Sequence, residues 1–307
     1  MSLIPSRVEA FYAFMTEREN IRLRRLLGWP REEWTHDEIF KKYSFTNVKR
    51  EHDRTTHLLM REFYVPHFIE VMAADLGPDW RTDPHIDHAD DPQKLLLNCA
   101  IFRYFGCVET ARVIGWTDEW SVERRAQIKH YGDCDDLRFT AAYIVPNCGR
   151  SEPKYEIVLE IIDDISKKLD EIVSTNSWER QCAILSSCYG CGSFMAKEIL
   201  LDYILATGIE PVDWSTWTPV GPCGRRGASR IKYGTKASIS EEEALEVVKE
   251  VYEERGQYWR DDFVTLDLTD IQFQFCEWDK RSRVAEGRAP KRRFKPTIDE
   301  ITRKAIP

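Results

Sequence analysis

Two glycines set two residues apart between long apolar runs constrain this chain more than any other feature. From Cys182 to Ala206 it reads CAILSSC, then Tyr189-Gly190-Cys191-Gly192, then SFMAKEILLDYILA. Each apolar run suits a helix, and glycine tolerates the positive φ that a tight interhelical turn demands. Bare backbone N–H groups stand at the head of the second helix, where the positive end of the helix dipole favours an anion. No GxxxxGKS or GxxxxGKT string occurs in the 307 residues, which disfavours a Walker-type kinase or ATPase. The anion these amides suit best is a DNA phosphate, with Gly190, Gly192, Ser193 and Lys197 as candidate DNA contacts.

The chain is long enough for one large core or two smaller lobes. Its 42% hydrophobic and 31% charged residues are the balance of an ordinary soluble globular protein. No apolar run reaches the roughly 18 residues of a membrane span. The opening MSLIPSRVEAFYAF has no charged stretch followed by an apolar core, so no signal peptide is read. Nine cysteines form no regular framework, and the odd count points to reduced thiols and a cytoplasmic setting. A net charge of −8 does not signal nucleic acid, but its distribution does. Lys280 to Lys295 carries eight basic residues against Glu286 alone, either a solvated tail or an anion-binding one. Arg225, Arg226, Arg230, Lys232 and Lys236 follow the glycine turn directly.

Helical spacing of apolar residues recurs along the chain: from Ile4 to Leu27, from Asp37 to Tyr43, and from about Lys49 towards Asp75. It returns over Gln93–Phe105, Cys107–Ile114, Glu119–His130, Pro153–Val173, Glu241–Arg255 and Leu268–Arg283. Only Arg138 to Pro146 has strand character. The expected fold is mainly α: two helical lobes with a cleft, and a minor extended segment. Residues 1–150 would form an N-terminal lobe, 151–240 the hairpin lobe with a Gly-Arg loop, and 241–307 closing helices and a basic tail.

Several polar groupings invite chemistry. In FTNVKREHDRTT, residues Asn47, Arg50 and Asp53 share one face of a helical start; they are either a cap with solvated ion pairs or a wall that grips a phosphate or a base edge. Arg103, on a predicted helix, is a candidate substrate contact, as are Glu277 and Lys280, three apart near the end of the last helix, which either pair on the surface or fold back into the cleft. In GPCGRRG, glycines with Arg225 and Arg226 would surround a polyanion, or form a plain turn. TDPHIDHADDP, at residues 82–92, matches no metal spacing, and the CxxC of Cys188 and Cys191 lacks the second pair of a zinc site. No metal site is assigned.

The hairpin string resembles the helix-hairpin-helix of base-excision DNA glycosylases, carried by Leu185, Gly190, Cys191, Gly192 and Ala196. In that family a catalytic aspartate follows about twenty residues on, often after a valine, and Pro211-Val212-Asp213 stands at that place; Phe194 stands where lyase members carry lysine. More widely, the blocks from Glu17 to Ile21, FTNVKREHDRTT, Leu97-Asn98, FRYF at 102–105, the hairpin, GPCGRRG and CEWDK resemble the phage α-glutamyl/putrescinyl-thymine pyrophosphorylases, also called amino acid:DNA transferases. A related helical domain accompanies the P-loop kinase that phosphorylates 5-hydroxymethyluracil in DNA. The resemblance implies an enzyme that replaces the pyrophosphate of 5-(pyrophosphoryloxymethyl)uracil in DNA with an amine or amino acid, on a base turned out of the duplex. Asp213 or Asp202 would take the amine's proton, while Arg225, Arg226, Arg50 and Lys280 would meet the pyrophosphate. Mg²⁺ on the pyrophosphate is the single cofactor considered. Partners would be modified DNA and the amine, with no membrane, in the cytoplasm of an infected bacterium. A monofunctional glycosylase and a non-catalytic DNA-binding subunit are the competing readings.

Overall fold

The computed structural model describes residues 3–68, 91–139, 145 and 150–288. Among these the regular structure is helical and no strand occurs, as a mainly α chain requires. Most of the predicted extended segment at 138–146, residues 82–90 of the polar loop, and the basic tail beyond 288 lie outside the described residues. In chain order the helices are α1 (Pro5–Leu26), α2 (Glu38–Lys42), α3 (Arg54–Leu59), α4 (Val65–Phe68), α5 (Pro92–Phe105), α6 (Val108–Ile114), α7 (Val122–Asp133) and α8 (Lys154–Ile165). They continue as α9 (Leu169–Val173), α10 (Trp178–Ser186), α11 (Ser193–Thr207), α12 (Gly221–Tyr233), α13 (Glu241–Glu253), α14 (Arg255–Tyr258) and α15 (Leu268–Ala285).

The chain divides into two units: one combines the described residues up to Arg54 with those from Ser215 onward, and the other runs from Thr55 to Trp214. These bounds differ from the divisions at 150 and 240 that the sequence suggested. In the first unit α1 buries Val8, Phe11, Tyr12 and Met15, which recur at i, i+3, i+4 and i+7. The same core takes Val247, Val248 and Val251 of α13 with Ile271 and Phe275 of α15. Phe11 meets Phe275 edge to face at 5.0 Å, and the Tyr12 hydroxyl donates to the carbonyl of Val251 at 2.7 Å. A capping box between Asp267 and Asp270 starts α15.

GPCGRRG is not a loop. It forms the first two turns of α12, with Pro222 at the start, where a missing N–H is harmless. Its glycines serve packing: a Cβ on Gly227 would lie 2.1 Å from the carbonyl oxygen of Phe275, and one on Gly224 would lie 2.9 Å from Gln272 Nε2. Only hydrogen lets α12 and α15 approach so closely.

In the second unit α11 is the central element, buried almost all round from Met195 to Thr207 and packed on α10 and α5. Its uniformly apolar sequence follows from that position. The strongly amphipathic α8 buries Ile157, Val158, Ile161, Ile162 and Ile165 on one stripe.

Candidate nucleic-acid interface

The hairpin in the second unit has the geometry its sequence predicts. Helix α10 ends at Ser186, the six residues 187–192 turn the chain, and α11 begins after Gly192. Gly190 takes φ +66°, and a Cβ there would sit 2.8 Å from Ile161, so the position needs glycine twice over. The turn is held from below: Asp164 accepts the Tyr189 N–H at 2.9 Å, a bond that keeps its carboxyl below the usual range, and the Tyr104 hydroxyl donates to the Gly190 carbonyl at 3.3 Å. Gly192, the residue that opens α11, has an ordinary φ of −80°, no side-chain cap, and open space where a Cβ would project. Tyr189 and Phe194 flank the turn, 43% and 51% exposed, unusual for rings of that size. Ser193 is exposed beside them, whereas Lys197 is buried on α11. Cys182, Cys188 and Cys191 are buried free thiols, and burial pushes Cys191 up to about 12, so they are neutral packing groups. Among the described residues no group of three or more His, Cys, Asp or Glu is placed to hold a metal ion.

Asp213 lies at the other end of α10. Its carboxylate accepts the N–H groups of Trp178 at 2.6 Å and Glu179 at 3.0 Å, and the Ser177 hydroxyl at 2.9 Å. It thus caps the first hairpin helix from a distant segment, which Trp214 secures by packing on Trp178 at 4.8 Å. Asp202 and Arg103, assigned separately to catalysis and substrate binding, are brought together in the core, 0% and 1% exposed, as a bidentate ion pair. Tyr64 donates to Asp202 at 3.1 Å, and Thr56 receives Arg103 Nη2 at 2.7 Å. Burial raises Tyr64 well above the ordinary phenol value.

The first unit gathers the other polar residues. Asn47, Arg50 and Asp53 do meet, but through a 3₁₀ turn at Arg50–His52 rather than on one helix face. Asp53 accepts the Asn47 N–H at 2.8 Å and pairs with Arg50 at 2.8 Å. Gln274 of α15 donates to the Asn47 carbonyl at 2.8 Å, Glu277 accepts the Thr46 N–H at 3.2 Å, and Lys280 pairs with Glu277 at 2.9 Å. Lys280 also lies 4.7 Å from the Phe45 ring centre, and Arg50 lies 5.4 Å from that of Phe273. The two arginines of GPCGRRG part company. Arg226 joins Arg230 on the fully buried Asp279, at 2.9 and 3.0 Å, while Arg225 faces Glu241 at 3.7 Å, 39% exposed.

Sequence reasoning placed Arg18 within the block from Glu17 to Ile21 but gave it no role, whereas it organises this loop. It is 6% exposed and donates to the carbonyls of Phe45 and Thr46 at 3.2 and 2.9 Å and to Asn47 Oδ1. Burial lowers its guanidinium to about 10, so it stays charged at neutral pH. The signal was present: Arg18 continues the apolar stripe of α1, seven residues beyond Phe11.

Residues 6–67 and 85–290 match the family model described as "5-hmdU DNA kinase, helical domain". A 5-hmdU DNA kinase of Bacillus phage SP10 is 26% identical over 331 aligned positions, covering 96% of this chain and 49% of the relative. The chain therefore spans about half the length of this curated relative. No solved structure matches. These findings correct the expectation of an amine or amino acid transferase that releases pyrophosphate: the relative is named a kinase, a phosphotransfer enzyme. The setting named for the relative, a phage and DNA carrying 5-hmdU, agrees with the expected modified-thymine setting. No helix among the described residues is long and apolar enough to cross a membrane. By a match that covers most of its length, the chain belongs to the family of the 5-hmdU DNA kinase helical domain.

Proposed function

We propose that this chain recognises DNA containing 5-hydroxymethyluracil for a phosphotransfer to that base. The observation that carries the reading is the hairpin. An uncapped N-terminus heads a buried 15-residue helix, with open space at Gly192 and two exposed aromatic rings beside it. A DNA phosphate fits such amides through hydrogen bonds and the helix dipole, and bases stack on exposed rings at little cost in sequence preference. Gly190, Gly192 and Ser193 would meet the phosphate directly. The name of the phage relative supports the choice of modified base and of phosphotransfer. The hydroxymethyl group replaces the thymine methyl in the major groove, where protein donors and acceptors reach base edges. Because no Walker string occurs in the 307 residues, a donor nucleotide is not held by such a loop of this chain.

The test is fluorescence anisotropy with matched duplexes containing 5-hydroxymethyluracil or thymine. Tighter binding to the modified duplex is expected, with affinity falling steeply as salt rises. Tyr189→Ala and Phe194→Ala, both on exposed side chains, should each weaken binding roughly fivefold or more without unfolding the protein. Equal affinity for both duplexes, or hairpin variants that bind as the parent does, would sink the reading.

A further inference from the structure

We infer that the cavity between the second half of α1 and residues 31–45 is a nucleotide-binding pocket, which takes a planar heteroaromatic ring carrying phosphate. It lies wholly within the first unit, and the inference does not depend on the hairpin reading. Its volume is about 450 Å³, within the range of small-ligand sites.

Charge selects an anion. Arg18, Arg25, Arg31 and Lys41 line the cavity against one carboxylate, Glu32. Arg18 is the telling member. Its Nε and Nη2 are spent on the 45–47 backbone and Asn47, but its buried Nη1 has no hydrogen-bond partner among the described residues. Anchored in this way, the Arg18 charge is fixed in the cavity wall, and a phosphate is the anion that best suits such a gathering of guanidinium groups. A second observation selects a ring. Trp34 lines the cavity with the Arg25 guanidinium 5.1 Å from its ring centre, and its position is fixed at both ends. Arg24 donates to its carbonyl at 2.7 Å, and its indole N–H donates to the Trp29 carbonyl at 2.8 Å. An indole and a guanidinium held in this way form a flat platform for stacking. A bare phosphate would leave that platform unused, and an uncharged base would leave the cations unanswered.

Isothermal titration calorimetry on the full chain tests this with dTMP, ATP, thymidine and inorganic phosphate. At least one of dTMP and ATP should bind roughly tenfold more tightly than thymidine or phosphate. Arg31→Ala and Lys41→Ala, both at exposed positions, should each weaken that nucleotide several-fold. Trp34→Leu should abolish the preference for nucleotide over phosphate. Should Trp34→Leu unfold, the two surface variants decide. Nucleotides that bind no better than phosphate, or affinities unchanged in correctly folded variants, overturn the proposal. A thymine oligonucleotide added to the nucleotide-loaded protein identifies the source: displacement assigns the pocket to a nucleotide within DNA, retention to a free one. Tyr189→Ala and Phe194→Ala leave this titration unchanged, so failure of the hairpin reading is seen separately.

Discussion

At residue 213 a single carboxylate takes three hydrogen bonds at the start of α10. Asp213→Ala removes them together, and a loss of about 1–2 kcal/mol in urea denaturation is expected, typical of a helix cap. His52 offers a pH test. Burial, with the Arg22 charge nearby, pushes its imidazole below the ordinary 6.5. The unfolded chain then takes up the proton first on acidification. Stability from neutral His52 is full above the unfolded value and is lost as pH falls through the lower native one. His52→Gln should therefore flatten the fall in urea midpoint as the pH drops below the ordinary imidazole value of 6.5. Both residues were visible as types in the sequence. Their partners were not: Asp213 meets residues 177–179 only because the chain returns after α11, a contact that local spacing does not encode.

Among the elements, glycines divide into those that pack and those that leave space. Gly227→Ala would drive a methyl into the Phe275 carbonyl and force α12 away from α15. A loss of about 3 kcal/mol or more is expected, at the upper end of overpacking, read as a lowered denaturation midpoint. Gly192→Ala meets nothing within 4 Å at an ordinary φ. It should cost less than about 1 kcal/mol, as a change of N-cap, yet weaken DNA binding by keeping the phosphate off the amides. The contrast separates scaffold from interface within one residue type. GPCGRRG looked like a loop because three glycines and a proline are poor helix formers, about 1 kcal/mol each for glycine. Close packing on α15, with Arg226 and Arg230 both reaching Asp279, outweighs that propensity.

For the molecule as a whole, the two units differ in how the chain builds them. The second is one continuous stretch with its own core around α11 and the buried Arg103–Asp202 pair. Residues 55–214 expressed alone should unfold cooperatively with a helical circular dichroism spectrum; a non-cooperative melt would show that this core needs the rest of the chain. The first unit joins the two ends of the chain, with α1 and α15 in one core. The same closure brings Glu277 and Gln274 of α15 to the loop at residues 46–47, over two hundred positions away in sequence.

The sequence by itself determined the helical class, the hairpin and its glycine turn, and most helix positions, because these follow from local periodicity, capping and backbone freedom. It also showed which polar residue types were present in the 47–53 loop and near Glu277. Only the tertiary structure decided that Asp202 and Arg103 answer one another in the core, that Asp213 caps α10, and that Arg18 organises the loop beside a cationic cavity. Those outcomes depend on contacts between segments distant along the chain, where burial makes each charge seek a partner that no local pattern names.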